Sequence, residues 1–344
     1  MLLIFATENF KGIRTKQVLD LTSNQGDEFS DTIHNYNGIS ANICSCLVGA
    51  NGSGKTHALK AIHRFASAIN KIESIKESHD PYILDNESQS HPTTYEALLY
   101  NKLNDHLYEY SFSSINGNVL TEKLYIKENK KGSRLKLVFN RDEDNITFGK
   151  NFATKGNLLK TMITPKGLLT YYAQGLDIEH INFINEWAKT VYFFNPNSVN
   201  FIGEKLIENF EDRINNVDKS SDLSNDDLLI DILNTVSQEL KKLGLPIEKV
   251  CFEKNDQGKY FYNIKHKTQG DEERSFNLEK AKDFFSDGTF NAINLTLFII
   301  TCSFNGALIL LDEYDISLHH SLSIAILRLI RQLNKKNNVQ TIIS

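Results

Sequence analysis

The sequence predicts an α/β fold: a phosphate-binding loop on a mixed central sheet, with an antiparallel β subdomain and a helical lobe. Three observations predict it. Gly49-Ala50-Asn51-Gly52-Ser53-Gly54-Lys55-Thr56 matches G-x-x-x-x-G-K-[ST] at every required position. Ala307-Leu308-Ile309-Leu310-Leu311 is a buried β-type run that ends in two carboxylates, Asp312 and Glu313. Between these motifs lie strand-like runs over residues 94–150 and helical periodicity over 151–245.

Composition bounds the class. The chain has 344 residues, 40% apolar and 24% charged, as in an ordinary soluble globular protein of one or two domains. A net charge of −5 gives no global polyanion-binding footprint, although it leaves room for a local basic groove. The opening Met1-Leu2-Leu3-Ile4-Phe5-Ala6 is too short for a signal peptide and runs into Glu8 and Lys11. The longest apolar stretch, Ile293 to Phe304, carries Asn294, Thr296 and Thr301 and reads as a buried helix, not a membrane span. The expectation is a cytoplasmic, reduced protein without a membrane partner. Cys44 and Cys46 share one face of a predicted strand, and the expectation is two small buried side chains.

The elements follow in order. Leu2–Ala6 and Val18–Leu21 read as paired strands, and the polar stretch 22–40 as a loop. Ala41 to Val48 reads as a buried strand entering the glycine loop. A helix with Leu59, Ile62, Phe65, Ala66, Ile69 and Ile72 as its apolar positions leaves it. Residues 76–93 lack periodicity and read as a flexible excursion. Four runs, Tyr95–Tyr100, Leu107–Ser113, Leu120–Lys127 and Leu135–Asn140, make a meander. Lys127, Lys130, Lys131, Arg134 and Lys136 form a cationic hairpin tip, and Asp142, Glu143 and Asp144 an acidic turn. Helices are expected over Ile178–Ala188 and Asp226–Leu243, the second with cap candidates at Asp222–Asp227 and a stop at Gly244. A mobile loop is expected at Ser220-Ser221-Asp222, and strands at Val250–Glu253 and Tyr260–Ile264. The domains expected are 1–150, with the phosphate loop and meander; 151–245, a helical insertion; and 246–344, with the acidic strand.

The chemistry follows from residue types. Glycines let backbone N–H groups of Gly49, Asn51, Gly52, Ser53 and Gly54 converge on a polyphosphate, and the following helix aims its positive dipole end at it. Lys55 reaches the β- and γ-phosphates of ATP, and Thr56 places a hydroxyl on Mg²⁺. Asp312 is expected to hold Mg²⁺ from a strand lying beside the phosphate-loop strand, and Glu313 to polarise the attacking water. Ser286-Asp287-Gly288-Thr289 opens an apolar helix and reads as a second anion site. One nucleotide does not need two such sites on one subunit. The economical arrangement is a head-to-tail dimer in which Ser286 and Gly288 cap the γ-phosphate held by a second copy.

These motifs, taken in order, resemble ABC-type ATPases of the RecF/SMC/OLD group, in particular the RloA-like branch found in bacterial phage-defence and abortive-infection loci. Glu8-Asn9-Phe10-Lys11-Gly12-Ile13 looks like the group's opening, and Tyr108–Phe112 with Leu120–Leu124 like its first-lobe strands. Glu186-Trp187, Phe194-Asn195-Pro196, Leu243-Gly244-Leu245, His266-Lys267 and Ser317-Leu318-His319 continue the likeness across the chain. The resemblance implies an ABC-type head with ATP-driven dimerisation. It places Ser286, Gly288 and Thr289 in trans, a D-loop at Asp315–Leu318, and Lys11 near the nucleotide. Two features depart from it. Phe285 stands where the group has Glu. No residue follows Ser344 to be the histidine of the Thr-His switch, so the chain is expected to be a fragment lacking further helices and an effector domain. Gln89 is a poor fit to the glutamine loop.

Three functions stay open. The first is an ATP switch, a dimer or larger assembly, that controls a nuclease or toxin in another chain or a further domain. The second is a repair or recombination ATPase that clamps DNA across the dimer. The third is a small-molecule kinase, which needs neither signature segment nor partner.

Overall fold

The computed structural model describes residues 1–23, 32–150, 156, 159–176, 178–196, 227–254, 260–267, 273–304 and 308–344. Its strands, in chain order, are β1 (Leu2–Glu8), β2 (Gln17–Asp20), β3 (Ile33–Tyr36), β4 (Ile39–Asn42), β5 (Cys44–Cys46), β6 (Thr93–Asn101), β7 (His106–Ile115) and β8 (Asn118–Glu128). They continue with β9 (Lys136–Asp142), β10 (Asn145–Phe148), β11 (Val191–Phe194), β12 (Ile247–Lys254), β13 (Tyr260–Lys267), β14 (Glu273–Asn277), β15 (Leu308–Leu311) and β16 (Gln340–Ile343). The chain packs as two units. One is Met1–Phe193 with Ala307–Leu310 and Gln340–Ser344; the other is Phe194–Gly306 with Leu311–Val339.

In the first unit, a seven-stranded sheet runs β10-β9-β8-β7-β6-β1-β2. The meander read from alternation is there, with β10 added beyond the Glu143 turn. Alternation decides which face is buried: Tyr108, Tyr110 and Phe112 point to the core, whereas Glu109 between them is exposed. The helix Lys55–Asn70 lays its apolar stripe on that face. The Phe65 ring stacks on Phe112 at 5.6 Å between centroids and meets Trp187 edge-on at 6.0 Å. Truncating a ring so enclosed costs about 3–5 kcal/mol.

The second sheet of this unit has the order β11-β15-β16-β5. This corrects one expectation: the strand that ends in Asp312 does not lie beside the phosphate-loop strand. β16 stands between them, parallel to β5, with Thr341 opposite Cys44 and Ile343 opposite Cys46. Thr341 N–H donates to Ile43 O and Leu47 N–H to Ile343 O, so β5 has its ladder on that side filled by β16.

Three further expectations change. The stretch 22–40 is not only loop: β3 and β4 form an antiparallel hairpin. Its turn is Asn37-Gly38, with φ of 50° and 82°, the left-handed pair that two-residue hairpins require. Residues 76–93 take defined backbone, with a helical turn at Ile75–Ser78 and a 3₁₀ turn at Ser88–Ser90. Cys44 and Cys46 are exposed, not buried, because β5 is the edge strand of its sheet, and Val48 beyond them is 89% exposed.

In the second unit, β12, β13 and β14 form an antiparallel sheet. The helix Asp227–Lys242 packs on β12, where Ser237 Oγ accepts from Val250 N–H at 2.9 Å and donates to Leu233 O at 2.7 Å. Gly244 ends it at φ 77°, with Gly244 N–H donating to Lys241 O and Leu245 N–H to Leu240 O. That pair of bonds is the Schellman closure, and it requires a residue that tolerates the left-handed region. The expected cap residues 222–226 and the loop at 220–222 lie outside the described residues. The helix Asp287–Ser303 is buried continuously from Ala292 to Ser303, so it is a central helix with apolar residues all round. Among the described residues no helix is long and apolar enough to cross a membrane.

Candidate functional site

The glycine loop leaves β5 and turns into the helix at Lys55. Gly52 and Gly54 hold φ of 79° and 93°, and no atom lies within 4 Å of where a Cβ would stand on either. Gly49 does face an obstacle, since a Cβ there would meet Ser53 Oγ at 2.7 Å, so the loop closes tightly on itself. Gly54 is the N-cap, no side chain caps the helix, and its first turn carries no acid. The first turn therefore presents its positive dipole end with no acidic side chain of its own against it. Lys55 Nζ folds over the loop and donates to Gly49 O at 2.8 Å and Ala50 O at 3.0 Å. Thr56 follows in the first helical turn. Exposed backbone donors, an ammonium and a hydroxyl, with no carboxylate among them, fit a polyphosphate.

The segment after β1 reaches the same helix. Gly12 N–H donates to His57 Nδ1 at 3.1 Å, and a Cβ on Gly12 would lie 2.6 Å from that nitrogen, so any larger residue would have to displace the imidazole. Lys11, expected near the nucleotide, pairs with the Asp80 carboxylate, and Lys11 N–H donates to Asp80 O at 2.7 Å. Opposite charge at close range on the neighbouring loop explains that choice. The loop is itself held by Asn9, which is 4% exposed with φ 54°. Asn9 Nδ2 donates to Ser88 O at 2.8 Å and His91 O at 2.9 Å, and Oδ1 accepts from Tyr82 N–H at 3.0 Å. Gln89 sits in the 3₁₀ turn so held.

The second unit carries the carboxylates. Asp312 is the first residue after β15 and is 1% exposed. Its N–H donates to Phe194 O at 2.9 Å, and its Oδ2 accepts from Asn195 Nδ2 at 2.9 Å. Asn195 is a residue that sequence reasoning did not single out for the site. Its signals are its place at the end of the Val191–Phe194 aromatic strand and its membership of the Phe194-Asn195-Pro196 run in the family likeness. Glu313 is exposed with φ 51°, so the chain turns sharply after the buried aspartate and leaves this carboxylate in solvent. Carboxylate and hydroxyl oxygens, as Asp312 and Thr56 supply, are the hard donors Mg²⁺ takes.

Ser286 caps the helix Asp287–Ser303: its Oγ accepts from Thr289 N–H at 3.3 Å and lies 3.0 Å from Thr289 Oγ1. Gly288 packs against the expected D-loop, and a Cβ there would lie 2.5 Å from Ser317 O. Asn291 Nδ2 donates to Ile316 O at 3.4 Å. Ser286, Gly288, Thr289 and residues 315–317 thus form one assembly, whose loop ends where His319 caps the helix His320–Asn337.

The family described as "AAA domain, putative AbiEii toxin, Type IV TA system" matches residues 44–344, well over half the chain. Among solved structures, the chain is similar to an Smc head bound to the C-winged helix domain of ScpA, at 14% identity and TM-score 0.49, covering 99% of this chain and 88% of that one. It is similar to the SMC head domain from Thermotoga maritima at 13% identity and TM-score 0.40, covering 99% and 88%. A third likeness is to the Smc head with an extended coiled coil bound to the C-terminal domain of ScpA from Pyrococcus furiosus, at 14% identity and TM-score 0.45, covering 100% and 89%. No curated protein matches the sequence.

Proposed function

The chain belongs to the family described as "AAA domain, putative AbiEii toxin, Type IV TA system", and from that membership we propose an ATP-binding and ATP-hydrolysing switch that assembles head to tail with copies of itself. The observation that carries the reading is the helix start at Lys55: two left-handed glycines, no side-chain cap and no acid in the first turn. In this reading Gly49, Asn51, Gly52 and Gly54 surround the phosphates with N–H donors, and Ser53 N–H, which donates to Ala50 O at 3.1 Å, joins them on parting from that carbonyl. Lys55 exchanges the carbonyls of Gly49 and Ala50 for β- and γ-phosphate oxygens. Thr56 and Asp312 hold Mg²⁺, with Asn195 fixing the Asp312 carboxylate. Bound Mg²⁺ supplies positive charge against the phosphate oxygens. Glu313 accepts a proton from the attacking water. Ser286, Gly288 and Thr289 address the γ-phosphate held by a second copy. Lys11 contributes to the nucleotide side on parting from Asp80.

The proposed output is control of a nuclease or toxin carried by another chain or a further domain, in cytoplasmic antiviral defence. The order of motifs supports the RloA-like branch as the finer placement. ATP moves such an assembly only by its preference for the closed form, and slow turnover suits a timer. Light scattering with and without ATP·Mg²⁺, on wild type and Glu313→Gln, tests the reading. ATP-dependent association that strengthens in Glu313→Gln is expected, and Lys55→Ala removes it. A monomer indifferent to ATP in all three overturns the switch. Association that needs DNA as well as ATP moves the function to the DNA clamp.

A further inference from the structure

A cavity of about 670 Å³ opens in the first unit, bounded by Ile72, Glu73, Lys76, His79, Gly117 and Lys166. None of its described lining residues belongs to the glycine loop or to the segment around Lys11. Its volume is that of a small-ligand site, and it is open to solvent. Lys76 and Lys166 bring two cations against the one carboxylate of Glu73, and neither lysine makes an ion pair among the described residues. His79 is spoken for: Nδ1 accepts from Asn116 N–H at 3.2 Å, which leaves Nε2 to donate to His91 O at 3.1 Å.

Both lysines stand on fixed supports. The Lys76 turn is tied down through Ser78, which is fully buried. Its Oγ donates to Ile75 O and lies 2.7 Å from Ser114 Oγ, and its carbonyl accepts from Tyr95 O–H at 2.6 Å. Lys166 lies in a turn clamped by Arg141, which is 1% exposed. Arg141 Nη1 donates to Gly167 O at 2.8 Å and Nη2 to Thr164 O at 3.0 Å, while Val119 N–H donates to Pro165 O at 2.7 Å. The hairpin turn at Gly117 closes against the Lys76 stem, where an added Cβ would lie 3.2 Å from Cγ. The backbone beneath each lysine is thus fixed, while the two exposed ammoniums remain to be ordered by the ligand they hold.

We propose that this cavity is a second anion site, separate from the glycine loop, that takes a small phosphate-bearing molecule. Lys76 and Lys166 hold the phosphate, and Glu73 accepts from a hydroxyl or amino group of the same molecule. Glu77, beside Lys76, pairs with Arg64 of the phosphate-loop helix, so the site is joined to that helix by an ion pair.

The test is calorimetric titration of inorganic pyrophosphate into the full chain carrying Lys55→Ala, which disables the glycine loop. One saturable site is expected, weakened at least tenfold by adding Lys76→Gln and Lys166→Gln and tightened a few-fold by Glu73→Gln. Both lysines are exposed, so melting temperatures should be unchanged, and the charge-keeping Lys166→Arg must retain the site. Absence of saturable binding in the Lys55→Ala chain overturns the proposal. So does an affinity indifferent to loss of both lysines. Displacement of pyrophosphate by a short single-stranded oligonucleotide would assign the site to a polynucleotide backbone and overturn it too.

Discussion

Ser317 holds its carbonyl so close to Gly288 that a Cβ on the glycine would lie 2.5 Å from the oxygen. Ser317 itself has φ 62°, so the loop has bent into the left-handed region to make this approach. Gly288→Ala must push the two segments apart, at about 1–3 kcal/mol for an overpacked contact. Urea unfolding should show that loss. ATP-dependent association should weaken by more than the change in stability explains, while ATP binding to the isolated chain stays intact. Full association in Gly288→Ala would remove the segment from the proposed interface.

The Asn195–Asp312 bond offers a test that separates the proposed metal binding from the proposed nucleotide binding. Asn195→Leu deprives the nearly buried Asp312 carboxylate of a donor, at about 1–3 kcal/mol. The expected result is a tenfold or larger loss in Mg²⁺-dependent ATP turnover, recovered in part at high Mg²⁺. Fluorescent-nucleotide binding in chelator should not change. Equal losses with and without Mg²⁺ would assign Asn195 to the fold alone.

Asn9 predicts a local effect. It satisfies carbonyls of Ser88 and His91 and the N–H of Tyr82 from a left-handed backbone. Asn9→Ala removes those partners and puts a less tolerant residue at positive φ, at about 2–3 kcal/mol together. Limited proteolysis should then cut between residues 79 and 92 first. Uncut chain under conditions that spare wild type would show that the Lys11–Asp80 and Arg14–Asp85 pairs suffice.

Glu122 is fully buried and its carboxyl is raised above its ordinary value, chiefly by burial, against donation from Leu169 and Thr170 N–H and the nearby Arg141. The folded chain therefore keeps this proton at a pH where the unfolded chain, titrating near 4.5, has lost it. Its contribution is full below that value and declines as pH rises through the folded one. Stability curves of wild type and Glu122→Gln should converge at low pH and part as pH rises, with the variant flatter. Glu122→Ala instead strands the N–H donors of Leu169 and Thr170 and leaves the Tyr110 hydroxyl with Thr170 Oγ1, and about 3–5 kcal/mol is the expected loss at neutral pH.

Much of this was legible in local pattern. Gly52 and Gly54 announce left-handed backbone, and alternation along Tyr108–Phe112 announces a half-buried strand, because both depend on immediate neighbours. Asn37-Gly38 carries a hairpin signal too, yet the polar residues around it read as loop. The order of the second sheet was not legible: that β16 stands beside β5 is decided by pairing between distant residues. The same holds for residues 76–93, whose partner Asn9 lies some seventy to eighty positions away. Gly288 reads in sequence as part of an anion-binding helix start, and only the fold shows Ser317 against it.

The parallel pairing of Thr341 with Cys44 has a consequence for synthesis. On the ribosome, the strand that carries the phosphate loop emerges with its neighbour still some 300 residues away, a delay of roughly 15–60 s at ordinary translation rates of about 5–20 residues per second. The antiparallel meander needs only local pairings and can form early. The nucleotide loop waits, its strand unpaired on that side, so an emerging chain passes through a long interval in which the backbone donors and acceptors of Cys44–Cys46 are open to chaperones and to any other unfinished strand.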